Sequence, residues 1–344
     1  MSLPPALSEG FRPLLAHPDV QTFLSELGPR RPRPRSWRQG CTRVEVPLAD
    51  GDHLLAWLHL LPDVGPADAP LVVHFHGLGS HADTGTLRGL SAKAHAAGLH
   101  SLRVNWRGAG GSERLCSRVT AGLAWPDVAD VVTHAQRLGH TRIYLTGLSL
   151  GGAIVLNALA RCTPRLPVAG AVCISPPMDF GAAGRSLATP RNRFYDARFV
   201  WLLARAVRHQ VRHGKAGERL RPYVARLRGL RSVRAFDDAV TAPALGLPDV
   251  DTYHAAASPG PHLAAITTPT WVLTAADDPF IPVAGQRPPL EALPAGGAVA
   301  WTITPHGGHV GFFGHRPQPA HPWEDGHWAE NAAIRWILAR EAQA

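Results

Sequence analysis

The chain has 344 residues, 45% of them apolar, and a formal net charge of +9. That apolar share allows a sizeable core and excludes global disorder, and the length suits one large α/β domain or a domain with an insertion. The charge is uneven: residues 30–43 hold six arginines and no acid, residues 185–234 hold thirteen arginines and Lys215 against Asp196 and Glu218, and the remainder holds 15 basic against 24 acidic residues.

A basic total thus describes an acidic body with two basic segments. Such segments point to an anionic surface or substrate nearby; the blander reading is solvated faces rich in arginine through a GC-rich coding bias. No run of eighteen apolar residues occurs, so no membrane-spanning helix is expected. Residues 1–10 lack a basic stretch followed by an apolar one, which argues against a secretory signal. Cys41, Cys116, Cys162 and Cys173 are scattered, with no Cys or His pair at metal-ligand spacing. A reducing cytoplasm fits them, and no disulfide framework, metal or other cofactor is expected.

Taken in chain order, residues 1–40 read as an N-terminal segment ending in a linker, Gly-Pro-Arg-Arg-Pro-Arg-Pro-Arg at 28–35, which should be extended. Residues 42–47 and 53–59 read as a strand pair around the turn Ala-Asp-Gly-Asp at 49–52. From Pro70 strands alternate with helices: strand 71–76, helix 82–97, strand 99–105, helix 124–138, strand 142–146, helix 150–161 and strand 168–174. This rhythm means right-handed crossovers and a mostly parallel sheet covered on both faces, whose strands should be apolar throughout. It breaks over 179–261, where Phe199, Leu203, Val207 and Val211 recur at helical spacing among arginines; this stretch reads as an inserted helical cap. Strands at 269–274 and 298–304 and a helix at 324–340 close the core, which comprises 41–178 and 262–344.

The chemistry begins at Gly-Leu-Ser-Leu-Gly, residues 147–151, a G-x-S-x-G placed between a strand and a helix. A serine on such a turn projects outward, and glycines on either side remove Cβ atoms that would clash. Ser149 is therefore the candidate nucleophile, and a serine hydroxyl needs a base oriented by a third group. Asp277 and Asp278 follow one strand and His306 and His309 the next, each leaving the carboxyl end, where open α/β sheets gather their sites. Asp278, four residues before Pro282, is favoured as acid, with Asp277 bracing its loop and Asp179 a lesser alternative. His309, preceded by two glycines, is favoured over His306. The expected oxyanion donors are the backbone N–H of Leu150 and that of Leu78, in the loop after strand 71–76.

These residues resemble the α/β-hydrolase family: His-Gly at 76–77, Asn-Trp-Arg-Gly-Ala-Gly-Gly-Ser at 105–112, the serine turn, Asp-Asp-Pro-Phe at 277–280, and His-Gly-Gly-His-Val-Gly-Phe at 306–312. With Phe-Arg-Pro-Leu-Leu-Ala-His-Pro-Asp-Val-Gln-Thr at 11–22 and Phe-Asp-Asp-Ala-Val-Thr-Ala-Pro at 236–243, they resemble more narrowly its YheT-like branch. The resemblance implies an α/β-hydrolase fold, a Ser149–Asp278–His309 triad and an esterase or lipase acting on acyl esters or acylglycerols. Two other readings remain beside hydrolysis. The same acyl-enzyme could deliver its acyl group to an alcohol, or the arginine-rich segments could make a non-catalytic binder of anions. Aromatics are not regularly interleaved with the arginines, so no nucleic-acid partner is expected. An anionic membrane met through the cap is the expected macromolecular contact.

Overall fold

The computed structural model describes residues 10–30, 40–119, 121–315 and 320–343. Most of the Pro/Arg linker, residues 31–39, lies outside the described residues. The strands are β1 (Cys41–Pro47), β2 (His53–His59), β3 (Leu71–Phe75), β4 (His100–Val104), β5 (Ile143–Leu148), β6 (Gly170–Ile174), β7 (Thr270–Ala275) and β8 (Val299–Thr304). They form one sheet in the order β1-β2-β4-β3-β5-β6-β7-β8, antiparallel from β1 through β4 and parallel thereafter. Every residue of β3, β4, β5, β6 and β7 is buried, as a sheet covered on both faces requires.

The longer helices are α1 (Pro18–Leu27), α2 (Gly85–Ala96), α3 (Trp125–Arg137), α4 (Leu150–Arg161), α5 (Phe180–Leu187), α6 (Arg193–His213), α7 (Val250–Ala257), α8 (Val283–Glu291) and α9 (Trp328–Glu341). Two buried clusters divide the core. One holds Leu54, Phe75, Trp106, Val131 and Ile154, the other Leu90, Tyr144, Trp271, Ile334 and Trp336. Between β6 and β7 the described chain forms helices and turns, with a small cluster around Val207 and Phe236 and a second in which Val200 joins Phe280 from the segment after β7.

Register decides where chemistry can gather. Phe75 pairs with Gly147, Leu148 with Ile174, Ile174 with Leu273, and Ala275 with Thr304. The carboxyl ends of five parallel strands are therefore level, and the segments after β3, β5, β6, β7 and β8 all emerge on one edge.

Two helices are absent from the sequence reading. Helix α1 starts with Pro18 at its first position and Asp19 in its first turn, both good start signals. Helix α8 carries Pro288 and Pro289 inside it, which read as breakers. The described part of the linker also differs from expectation. Arg30 is buried against Glu330 at 2.9 Å, and Glu330 also takes Lys93 at 2.8 Å. Glu330 is held near 2 by those cations despite its burial. Arg30 thus fastens α1 to α9 instead of facing solvent.

Candidate active site

The turn from β5 into α4 holds Ser149 at φ 50°, ψ −122°, a conformation costly for any residue with a Cβ. Its neighbours show why the strain is sustained. A Cβ on Gly147 would lie 2.6 Å from the Gly152 Cα, and one on Gly151 would lie 2.5 Å from the His76 carbonyl. Both contacts are with backbone, so only glycine fits. The Ser149 N–H donates to the Ile174 carbonyl at 2.9 Å, which ties the turn to the end of β6.

The structure brings Ser149, His309 and Asp278 together. The Ser149 hydroxyl donates to His309 Nε2 at 2.9 Å, and His309 Nδ1–H donates to Asp278 Oδ2 at 2.8 Å. The other Asp278 oxygen accepts the N–H groups of Phe280 and Ile281 at 2.8 and 3.0 Å, so the carboxylate cannot swing away. The Phe280 ring lies 4.7 Å from the imidazole and covers it. Asp277 is elsewhere: one oxygen faces His306 Nδ1 at 3.2 Å and the other accepts the Gly308 N–H at 2.9 Å. Asp179 caps α5 by accepting the Ala182 N–H.

The loop after β3 runs along the serine. A Cβ on Gly77 would sit 3.1 Å from the Ser149 Cβ. His76 sets the loop's orientation: its Nε2 accepts the Trp106 N–H at 3.1 Å, so its proton is on Nδ1, which donates to the Gly77 carbonyl at 2.8 Å. Burial keeps this imidazole neutral, lowering its pKa to about 4. On a trans peptide the Leu78 N–H points opposite to the Gly77 carbonyl. Leu150 opens α4, and its N–H is one of the four without a partner inside the helix.

A cavity of about 320 Å³ opens at Ser149. Leu78, Phe180, Phe199, Leu203, Val207 and Phe236 supply much of its wall, and it is mainly apolar. Among the described residues no group of three or more His, Cys, Asp or Glu could hold a metal.

Comparison with known proteins gives the chain a lineage. Residues 66–313 match the family described as serine aminopeptidase, S33. YheT of Escherichia coli (strain K12), which carries an esterase name, is 32% identical over 301 residues, covering 86% of this chain and 84% of that one. The chain is an α/β-hydrolase of the YheT-like branch. The phospholipase ABHD3 of Homo sapiens is 27% identical over 216 residues, 62% of this chain and 52% of its own. The solved esterase Pf2001 of Pyrococcus furiosus covers 87% of this hydrolase and 92% of its own chain, with TM-score 0.54 and 14% identity, a likeness of fold.

Three features of this α/β-hydrolase were not read from sequence. Thr22 of α1 accepts the His309 N–H at 2.9 Å, and Gln21 clamps Phe313, four residues on. Helix α1 therefore supports the histidine loop from outside the sheet. Arg107, in the segment after β4, is bonded to Asp127, Asp50 and Asp52 at 2.7–2.8 Å. Asp52 also takes Lys215 at 2.9 Å, which fastens the segment after α6 to the core. Lastly, His76 holds the loop at Leu78. The motif His-Gly at 76–77 was the only signal for that, and its hydrogen bonds depend on Trp106, thirty residues away.

Proposed function

We propose that Ser149 attacks the carbonyl of an acyl ester and that the chain turns over through an acyl-enzyme. The chain is a serine hydrolase acting on carboxylic esters. What supports the mechanism is one observation, the continuous hydrogen-bonded path Ser149–His309–Asp278, with the serine at the mouth of an apolar cavity. His309 takes the serine proton on attack and passes it to the leaving alkoxide; it later takes one from water as that water attacks the acyl-enzyme, and returns it to the Ser149 oxygen as the acyl bond breaks and the acid leaves. Asp278 holds the Nδ1 tautomer and stabilises the imidazolium. The N–H groups of Leu78 and Leu150 receive the developing oxyanion, aided by the helix N-terminus at Leu150.

The cavity's apolar wall favours the acyl chain of a lipid ester or acylglycerol, in keeping with the lipase and phospholipase names among the relatives. Segment 179–261 then acts as a cap over a core of 41–178 and 262–344, its helix α6 excluding water from the cavity. Four free cysteines fit a cytoplasmic setting. No helix among the described residues is long and apolar enough to cross a membrane, so contact with anionic membrane through the arginine-rich cap is peripheral.

The test is a panel of esters of graded acyl length, with wild type and Ser149→Ala, and with product analysis in added ethanol. Turnover lost in the variant and rising with acyl length supports the reading. Full activity in the variant contradicts it, and an ester product formed from ethanol assigns transfer to an alcohol.

A further inference from the structure

The arginines of helix α6 are ordered around its axis. Positions 194, 198, 201, 205, 208 and 212 recur at alternating steps of four and three, which places them on one face. They are Phe194, Arg198, Trp201, Arg205, Arg208 and Arg212, all exposed. No acid interrupts them. The one acid of the helix, Asp196, is buried and accepts the Val233 N–H at 2.6 Å.

Phe194 is 75% exposed and Trp201 54%. A single exposed apolar residue means little, but these are not single. Of the nine exposed large apolar side chains among the described residues, six fall on two stretches: Leu14, Leu15, Phe23 and Leu27 on or before α1, and Phe194 and Trp201 on α6. The two helices are joined there. Phe23 stacks on Tyr195 at 5.9 Å, and Asp19 holds Arg191 at 3.1 Å and the Tyr195 hydroxyl at 3.0 Å. Guanidinium groups lie over the exposed rings, Arg193 at 5.0 Å from Phe194 and Arg205 at 5.4 Å from Trp201. That is how apolar stems and rings share one depth while the cations stay at the level of water or head groups.

We propose that this aromatic–arginine face of α6, continued by the exposed side of α1, docks on an anionic phospholipid surface. It deepens the reading above by naming the face and its residues. Charge complementarity selects the partner: a face of cations with interspersed large apolar groups matches phosphate and serine head groups over acyl chains. Leu14, Leu15 and Leu27 offer no ring on which a nucleic-acid base could stack, whereas a bilayer takes them as readily as phenylalanine. The opposite side of the same helix completes the argument. Phe199, Leu202, Leu203, Ala206 and Val207 line the cavity at Ser149. A docked α6 is thus a wall between bilayer and cavity, so an acyl ester leaving the membrane has a short path to the serine.

The experiment is co-sedimentation of the full chain with vesicles of phosphatidylcholine, with and without roughly 30 mol% phosphatidylserine, over a series of salt concentrations. Wild type should pellet with the anionic vesicles and progressively less as salt rises. Arg198→Gln/Arg205→Gln/Arg208→Gln/Arg212→Gln should weaken that binding by at least about tenfold. Phe194→Ser/Trp201→Ser should weaken binding to both vesicle types, with less dependence on salt. Neither set lines the cavity, so turnover of a water-soluble short-chain ester should persist and report that the variants are folded. Ser149→Ala should pellet like wild type, which separates docking from catalysis. The proposal is overturned if wild type does not pellet with anionic vesicles, if both folded variants pellet like wild type, or if a duplex DNA displaces the protein from vesicles and binds more tightly through the same arginines.

Discussion

Truncating Gln21 should disable the site from a distance, because the loop of His309, the proposed base, hangs on it. The side chain is fully buried on α1. Its Nε2 donates to the carbonyls of Leu15 and Phe313, each at 2.8 Å, and its Oε1 accepts the Phe313 N–H at 2.6 Å. In Gln21→Ala the Phe313 carbonyl keeps the Leu14 N–H as a partner, but the Phe313 N–H loses its acceptor. A buried donor left unpaired costs about 1–3 kcal/mol, and two lost bonds to carbonyls about 0.5–1.5 kcal/mol each, so the total is about 2–6 kcal/mol. Unfolding entropy of about 2.1 cal/mol/K per residue converts that to a Tm lower by about 3–8 °C. Space offers no escape, since a Cβ on Gly311 would collide with the Gln21 carbonyl and one on Gly308 with that of Pro18. A loosened loop displaces His309 from Ser149, and a misplacement of about 1 Å costs on the order of 100-fold in kcat. Gln21→Met keeps the volume without the bonds and should show most of both effects. Thermal unfolding by circular dichroism and kcat on a soluble ester are the assays. Wild-type kcat in a folded Gln21→Ala variant would refute the idea that α1 positions the histidine loop.

Other consequences are as direct. Asp278→Asn should lower kcat on the order of 10³–10⁴-fold with little change in KM, whereas Asp277→Asn, which touches only His306 and Gly308 and keeps an oxygen to accept the Gly308 N–H, should lower it a few-fold at most; steady-state kinetics of the pair decides between the two acids. Gly151→Ala places a methyl 2.5 Å from the His76 carbonyl and should destabilise the fold severely, while Gly10→Ala, with nothing within 4 Å, should leave its Tm unchanged. Acid should unfold the protein partly through His76, whose pKa is lowered to about 4 by burial from an ordinary 6.5. The unfolded chain binds that proton first, so this stability is whole above pH 6.5 and is lost as pH falls from 6.5 to 4, amounting to about 3 kcal/mol. Urea midpoints measured from pH 7 to pH 4 should fall, and fall less in His76→Asn; an equal slope in both would exclude His76 as a contributor.

The sheet was legible because its signal is local. Runs of apolar residues over 71–76, 142–146 and 168–174 need no partner to be recognised, and the alternation with helices dictates parallel pairing. Ser149 was legible for the same reason, since the glycines that accommodate it are within four residues. The preference for Asp278 over Asp277 rested on its spacing to Pro282 alone; what separates the two in the structure is tertiary, Phe280 and Ile281 turning their N–H groups onto one carboxylate and the direction of the loop after β8. Helix α1 was missed although Pro18 and Asp19 mark its start, because its purpose lies in contacts with Phe313 and His309, nearly 300 residues on. Charge was only half readable. The density of arginines in 185–234 was plain, but their sorting onto one face of α6 with Phe194 and Trp201, and the burial of Arg30 against Glu330, are tertiary facts.

The central claim is that Ser149 carries the acyl group. Intact-protein mass spectrometry after brief exposure to an activated acyl ester and an acid quench tests it most directly, with peptide mapping to locate the adduct. The account predicts one acyl group, on Ser149, that turns over in wild type, and neither adduct nor hydrolysis in Ser149→Ala. Ester hydrolysis that continues in Ser149→Ala, or an adduct mapped to another residue, would contradict it.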